Sequence, residues 1–182
     1  SRILKEMEAI KGIAGVQLSG LGVLLNESEA PPTAVRDMNI VAIPLYTRVF
    51  QWLPRPLRYA LNFAELTIKI LLRGWKIRPY IIHCHDTLVL PAGVLLKWIS
   101  NSLLVYDAHE LESNKNGQSR FLSMSTFAVE RFAWRSVDHL VTVSDKIIEW
   151  YHESFGAKPA TLILNSPQIK REEFAGKNLS RI

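Results

Sequence analysis

The chain has 182 residues, 48% hydrophobic and 21% charged, a balance that excludes a disordered chain and suits one domain with a substantial core. Its single cysteine, Cys84, rules out an intramolecular disulfide framework and leads us to expect a reducing, cytoplasmic setting. The net charge of +5 is concentrated in one stretch, Arg48 to Arg78, which carries seven basic residues against Glu65 alone and so implies an anionic partner.

Residues 2–11 predict a helix with Ile3, Met7 and Ile10 on one face, stopped by Gly12 and Gly15. This charged, amphipathic start is not a signal peptide, and the longest uncharged run, Gly12 to Asn26, is too short to span a bilayer. Gly15 to Leu25 predicts a glycine-rich strand, Asn26 to Thr33 a polar loop, and Met38 to Leu45 a second strand. From Leu53 to Pro79 the pattern is helical, with prolines at its start and Gly74 and Pro79 as stops. Leu57, Leu61, Ala64, Ile68 and Leu71 mark one face, and Arg58, Asn62, Glu65, Lys69 and Arg73 the other. The apolar face is expected to cover the sheet, leaving Trp52 and the arginines around it exposed. Basic residues interleaved with Phe50, Trp52, Tyr59, Phe63 and Trp75 also fit peripheral binding to an anionic membrane surface. No nucleic-acid-binding motif accompanies this charge, so nucleic acid is not an expected partner.

The centre of the chain reads YIIHCHD from Tyr80 to Asp86, then a helical segment, then SLLVYDAHE from Ser102 to Glu110. Short apolar runs separated by a helix predict buried parallel strands in a βαβ unit. A polar loop, ESNKNGQS, precedes a predicted helix from Arg120 to Ser136 carrying Phe121, Met124, Phe127, Ala128 and Phe132. His139 to Ser144 predicts a strand, with Ser144 placed as N-cap of the next helix and Asp145 in its first turn. Ala160 to Asn165 predicts a last strand, and the sequence from Ser166 is charged and aperiodic. This alternation indicates an α/β, doubly wound, mainly parallel Rossmann-like sheet.

In such sheets ligands bind beyond the carboxyl ends of the strands, where this sequence places His85, Asp86, His109, Glu110, Ser144 and Asn165. One polar residue at a strand end is ordinarily a cap or turn former; four successive strands ending this way point to a binding crevice. An imidazole beside a carboxylate, as at His109, can be held in one tautomer and serve as donor or base near neutrality. Alternation separates His83 and His85 from Cys84 and Asp86, so these four cannot ligate one ion together. An H-x-H pair with a distant third ligand remains open, but no later set of His and Asp stands out, so neither metal nor cofactor is expected. Cys84 reads as an inert buried thiol. The chain contains no G-x-G-x-x-G, P-loop or G-x-S-x-G signature.

The segments PYIIHCHDTLVLPAG, LLVYDAHE and ERFAWRSVDHLVTVSDKIIEWYHESFGAKPATLILNSP resemble, in order and spacing, the N-terminal half of glycosyltransferase family 4. SRILKEMEAI is similar to that family's first helix, which there follows a first strand and a glycine-rich loop. The resemblance implies that residues 1–165 form the N-terminal Rossmann-like domain of a two-domain GT-B enzyme, incomplete at its start, and that residues 166–182 begin the interdomain linker. It further implies transfer with retention and without metal, from a nucleotide-sugar donor to a lipid-linked or polysaccharide acceptor of the cell envelope. The donor would be bound mainly by a C-terminal domain absent from this chain, so the chain alone is expected to be inactive. His109 matches the family histidine near the transferred sugar and is the expected catalytic residue. Asp86 and Glu110 match cleft-lining positions and, with His85, Ser144 and Asn165, make up the expected substrate-binding set. A nucleotide-sugar epimerase of the same fold and a non-catalytic α/β binding module are the alternatives. The expected location is cytoplasmic, peripheral at the inner face of the membrane.

Overall fold

The computed structural model describes residues 2–23, 39–111 and 120–164. Its elements are α1 (Arg2–Lys11), β1 (Gly20–Val23), β2 (Ile40–Ile43), a 3-10 turn (Tyr46–Val49), α2 (Arg55–Ile77), β3 (Ile81–Cys84), α3 (Leu90–Ser100), β4 (Leu103–Ala108), α4 (Arg120–Trp134), β5 (His139–Thr142), α5 (Asp145–Phe155) and β6 (Ala160–Leu162). Strands β3 to β6 form a four-stranded sheet in sequence order, every pair parallel. β1 and β2 form a separate parallel pair. The doubly wound α/β reading therefore holds, and the four strand ends lie along one edge as the periodicity predicts.

Each element has a local cause. Pro56 and Pro91 sit in the first turns of α2 and α3, where a missing N–H costs nothing. Both helices end on a left-handed residue, Arg78 (φ 48°) and Asn101 (φ 55°), whose amides bond back to Gly74 and Lys97 carbonyls. In β4 the buried Leu104, Tyr106 and Ala108 join Leu90, Val94, Trp134, Leu140 and Tyr151 in the core. Gly93 lets α3 lie close on the sheet: a Cβ there would collide with Cys84 Sγ and come within 3.1 Å of Leu104 Cδ1. Burial pushes the Cys84 thiol up to about 12, so it stays protonated and unreactive. Glu130, on α4, is buried, and its Oε1 accepts hydrogen bonds from Tyr106 (2.8 Å), Tyr151 (2.6 Å) and Thr87 (3.2 Å). Burial, together with that carboxylate, raises both tyrosine pKa values, which keeps the hydroxyls as donors.

Several elements depart from the sequence reading. The first strand is Gly20–Val23, shorter than Gly15–Leu25, because Gly15 takes φ 82° in a turn after α1; Leu24 and Leu25 lie outside the described residues. Helix α4 ends at Trp134, short of Ser136, and turns Glu130, Ala133 and Trp134 inward while Met124 and Phe132 are exposed. The largest reversal is in α2. Of the expected face, Leu57 and Ile68 are 49% and 56% exposed, Ala64 is exposed, and Leu61 and Leu71 are half-buried, while Leu66 and Gly74 are buried. The polar stripe faces the fold instead. Glu65 accepts the Tyr46 and Thr47 amides at 2.9 and 2.8 Å and the Thr47 hydroxyl at 2.6 Å. Lys69 Nζ donates to Pro44 O at 2.7 Å and Arg73 Nη1 to Ala42 O at 3.3 Å. The backbone leaving β2 presents unpaired amides and carbonyls, and α2 meets them with charge because bare polar groups there would be costly.

Candidate functional site at the strand ends

The parallel register pairs His83 with Val105 and Cys84 with Tyr106, so the next step brings His85 opposite Asp107. Alternation then puts His83, His85, Asp107 and His109 on one face of two neighbouring strands, opposite the face that carries Cys84 and Tyr106 into the core. The distances agree. His85 Nδ1 is 3.0 Å from Asp107 Oδ2, His83 Nε2 is 3.9 Å from the same oxygen, and His109 Nδ1 is 3.5 Å from Asp107 Oδ1. The imidazoles form a layered row, His83 on His85 at 4.2 Å and His85 beside His109 at 6.1 Å between ring centroids. Helix α1 adds Glu6, whose Oε2 is 3.8 Å from His85 Nδ1. Asp107 has 0% of its side chain exposed, whereas the His109 ring keeps 32%. The buried carboxylate is hydrogen-bonded to His85, and His83 and His109 stand within 4 Å of it. The hydrogen bond fixes the orientation of the His85 ring, and a carboxylate this close to His109 favours one tautomer of its imidazole.

The expected site residues separate into groups. His85 and His109 share Asp107. Asp86 is exposed, and its Oδ1 accepts the Leu88 amide at 2.9 Å, which is the work of a turn former. Glu110 is exposed at the end of β4. Ser144 occupies the N-cap position of α5, but its side chain makes no capping bond; its carbonyl receives the Ile147 and Ile148 amides instead. Asn165, the loops 26–33 and 112–119, and the tail from Ser166 lie outside the described residues.

The family model described as Glycosyltransferase Family 4 matches residues 23–166. The chain belongs to glycosyltransferase family 4. A comparison with curated protein sequences finds no match. In this family 4 domain the sequence reading missed two residues, Asp107 and Glu6. Asp107 carried a signal: it stands two residues before His109 on a strand, and hence on the same face. Glu6 carried none, because only the packing of α1 brings it to His85. An open depression lined by Arg131, Phe132, Arg135 and Phe155, between α4 and α5, includes none of the strand-end residues. The titratable groups that converge do so at the strand ends instead. No described helix is long and apolar enough to cross a membrane.

Proposed function

We propose that residues 1–165 form the acceptor-side domain of a retaining glycosyltransferase and that His109 acts at the reacting centre. The observation that carries this reading is the buried Asp107, hydrogen-bonded to His85 and 3.5 Å from His109, at the carboxyl ends of parallel strands in a family 4 domain. Asp107 steadies the imidazole, and His109 holds the acceptor hydroxyl and receives or shares its proton as the bond to the sugar forms. His85, Asp86, Glu110, Ser144 and Asn165 line the acceptor crevice. A nucleotide sugar would be held chiefly by a second domain, whose groups support the departing diphosphate.

Three measurements test this. Calorimetry of this chain with a panel of nucleotide sugars should show little binding; micromolar affinity would overturn the domain assignment. In a protein carrying both domains, His109→Ala should lower turnover by about two to four orders of magnitude. Unchanged turnover in a well-folded variant would remove His109 from the reaction. Product analysis separates transfer, which yields a glycosylated acceptor, from epimerisation, which yields an isomeric nucleotide sugar.

A membrane-facing role for Arg48 to Arg78 is supported by the outward apolar face of α2. Leu57, Ile68, Leu72 and Trp75 are exposed together with Val49, Phe50 and Trp52, and Arg55 is exposed with them. An apolar stripe flanked by cations suits the boundary of an anionic bilayer, where each basic residue contributes on the order of 1 kcal/mol. The acceptor would then be presented from the lipid surface, on the cytoplasmic side.

A further inference from the structure

We propose that Glu6, His83, His85 and Asp107 bind one divalent transition ion of the zinc class. One ligand atom from each residue lies within 4.8 Å of the others. Three of these pairs are 3.0, 3.8 and 3.9 Å apart. Ligands at zinc distances around a tetrahedral ion stand roughly 3.3–3.6 Å from one another, so the donors draw in by up to about an ångström to close the shell. Surface carboxylates often cluster without an ion, but these donors are not loose surface groups. Asp107 is fully buried, and the side chains of Glu6, His85 and His83 are 15%, 20% and 28% exposed. They are set by the strand register and by the packing of α1. With neutral imidazoles the four ligands carry two negative charges, which a divalent ion balances. Two nitrogen donors select against magnesium and calcium and favour zinc, iron or cobalt.

Four protein ligands fill a tetrahedral shell, as in structural sites. The ion clamps α1 to the ends of β3 and β4. Asp107 holds it through Oδ2 while Oδ1 stays turned toward His109, so occupancy fixes the carboxylate that orients His109. This arrangement runs against the metal-free expectation drawn from the sequence, where His83 and His85 had no visible third partner.

The test uses the purified 182-residue chain, stripped with chelator and titrated with Zn2+ against a chromogenic competitor, and separately with Co2+ for its visible spectrum. One equivalent should bind, with the intense absorption of tetrahedral Co2+. Chelation should lower the thermal midpoint, and affinity should fall at acid pH as the imidazoles take up protons. The double change His83→Ala with His85→Ala, or Glu6→Gln alone, should abolish or weaken uptake while circular dichroism stays unchanged. His152→Gln, away from the cluster, should bind as the parent does. No stoichiometric uptake, or uptake indifferent to the His83/His85 change, would overturn the site. Neither readout depends on sugar transfer, so a failed metal site leaves the proposed activity standing, and the reverse holds too.

Discussion

Glu65 is the joint between α2 and the 3-10 turn, and its protonation should be measurable as stability. Burial raises its pKa, but hydrogen bonds from Lys69, the Thr47 hydroxyl and the Thr47 and Tyr46 amides outweigh that and hold it at about 2, against an ordinary 4.5. Its side chain is 13% exposed but lies near the surface, where solvent screens part of these contacts. A depression of that size therefore corresponds to at most roughly 2–4 kcal/mol at about 1.4 kcal/mol per unit. Because the folded pKa lies below the unfolded one, this stabilisation is fully present above about pH 4.5 and is lost as pH falls toward about 2. Glu65→Gln should therefore cost about 2–3 kcal/mol at neutral pH, and the gap to the parent should narrow across the acid window. Urea unfolding of both proteins at several pH values measures this. Hydrogen exchange should locate the loss at the amides of Tyr46 and Thr47. A gap that is constant with pH, or below about 0.5 kcal/mol at neutrality, would refute the reasoning.

Other changes read other parts of the fold. Glu130→Leu strips three hydroxyls of their shared acceptor and should destabilise by about 3–5 kcal/mol, whereas Glu130→Gln, which keeps an acceptor oxygen, should cost less than half as much; calorimetric melting compares them. Gly93→Ala forces a methyl onto Cys84 Sγ and should cost about 1–3 kcal/mol in denaturant titrations. Vesicles containing anionic lipid should sediment the chain in a salt-sensitive way and neutral vesicles should not. Changing Arg55 and Arg58 to Glu, or Ile68 to Asp, should release it, and equal sedimentation with both vesicle types would remove the membrane reading.

Local pattern was enough for the elements that depend on local causes. The runs at Ile81–Cys84, Leu103–Ala108 and His139–Thr142 are strands because each is short, carries β-branched or aromatic residues and lies between helical segments. The parallel order follows from helices between them, and the edge on which His85 and His109 lie follows from that order. Register, by contrast, is a relation between strands. It alone sets Asp107 opposite His85, and it gave the H-x-H pair a third donor in the cluster. Glu6 joined from 77 residues before His83 because α1 packs where it does, a matter no window of sequence contains. Helix α2 makes the same distinction within one element. Its periodicity established an apolar and a polar face; which face turned inward was decided by the backbone it had to meet. The carbonyls of Ala42 and Pro44 and the amides of Tyr46 and Thr47 needed partners, and Arg73, Lys69 and Glu65 supplied them, leaving the hydrophobic face to solvent because an unmet buried hydrogen-bonding group costs more than an exposed leucine.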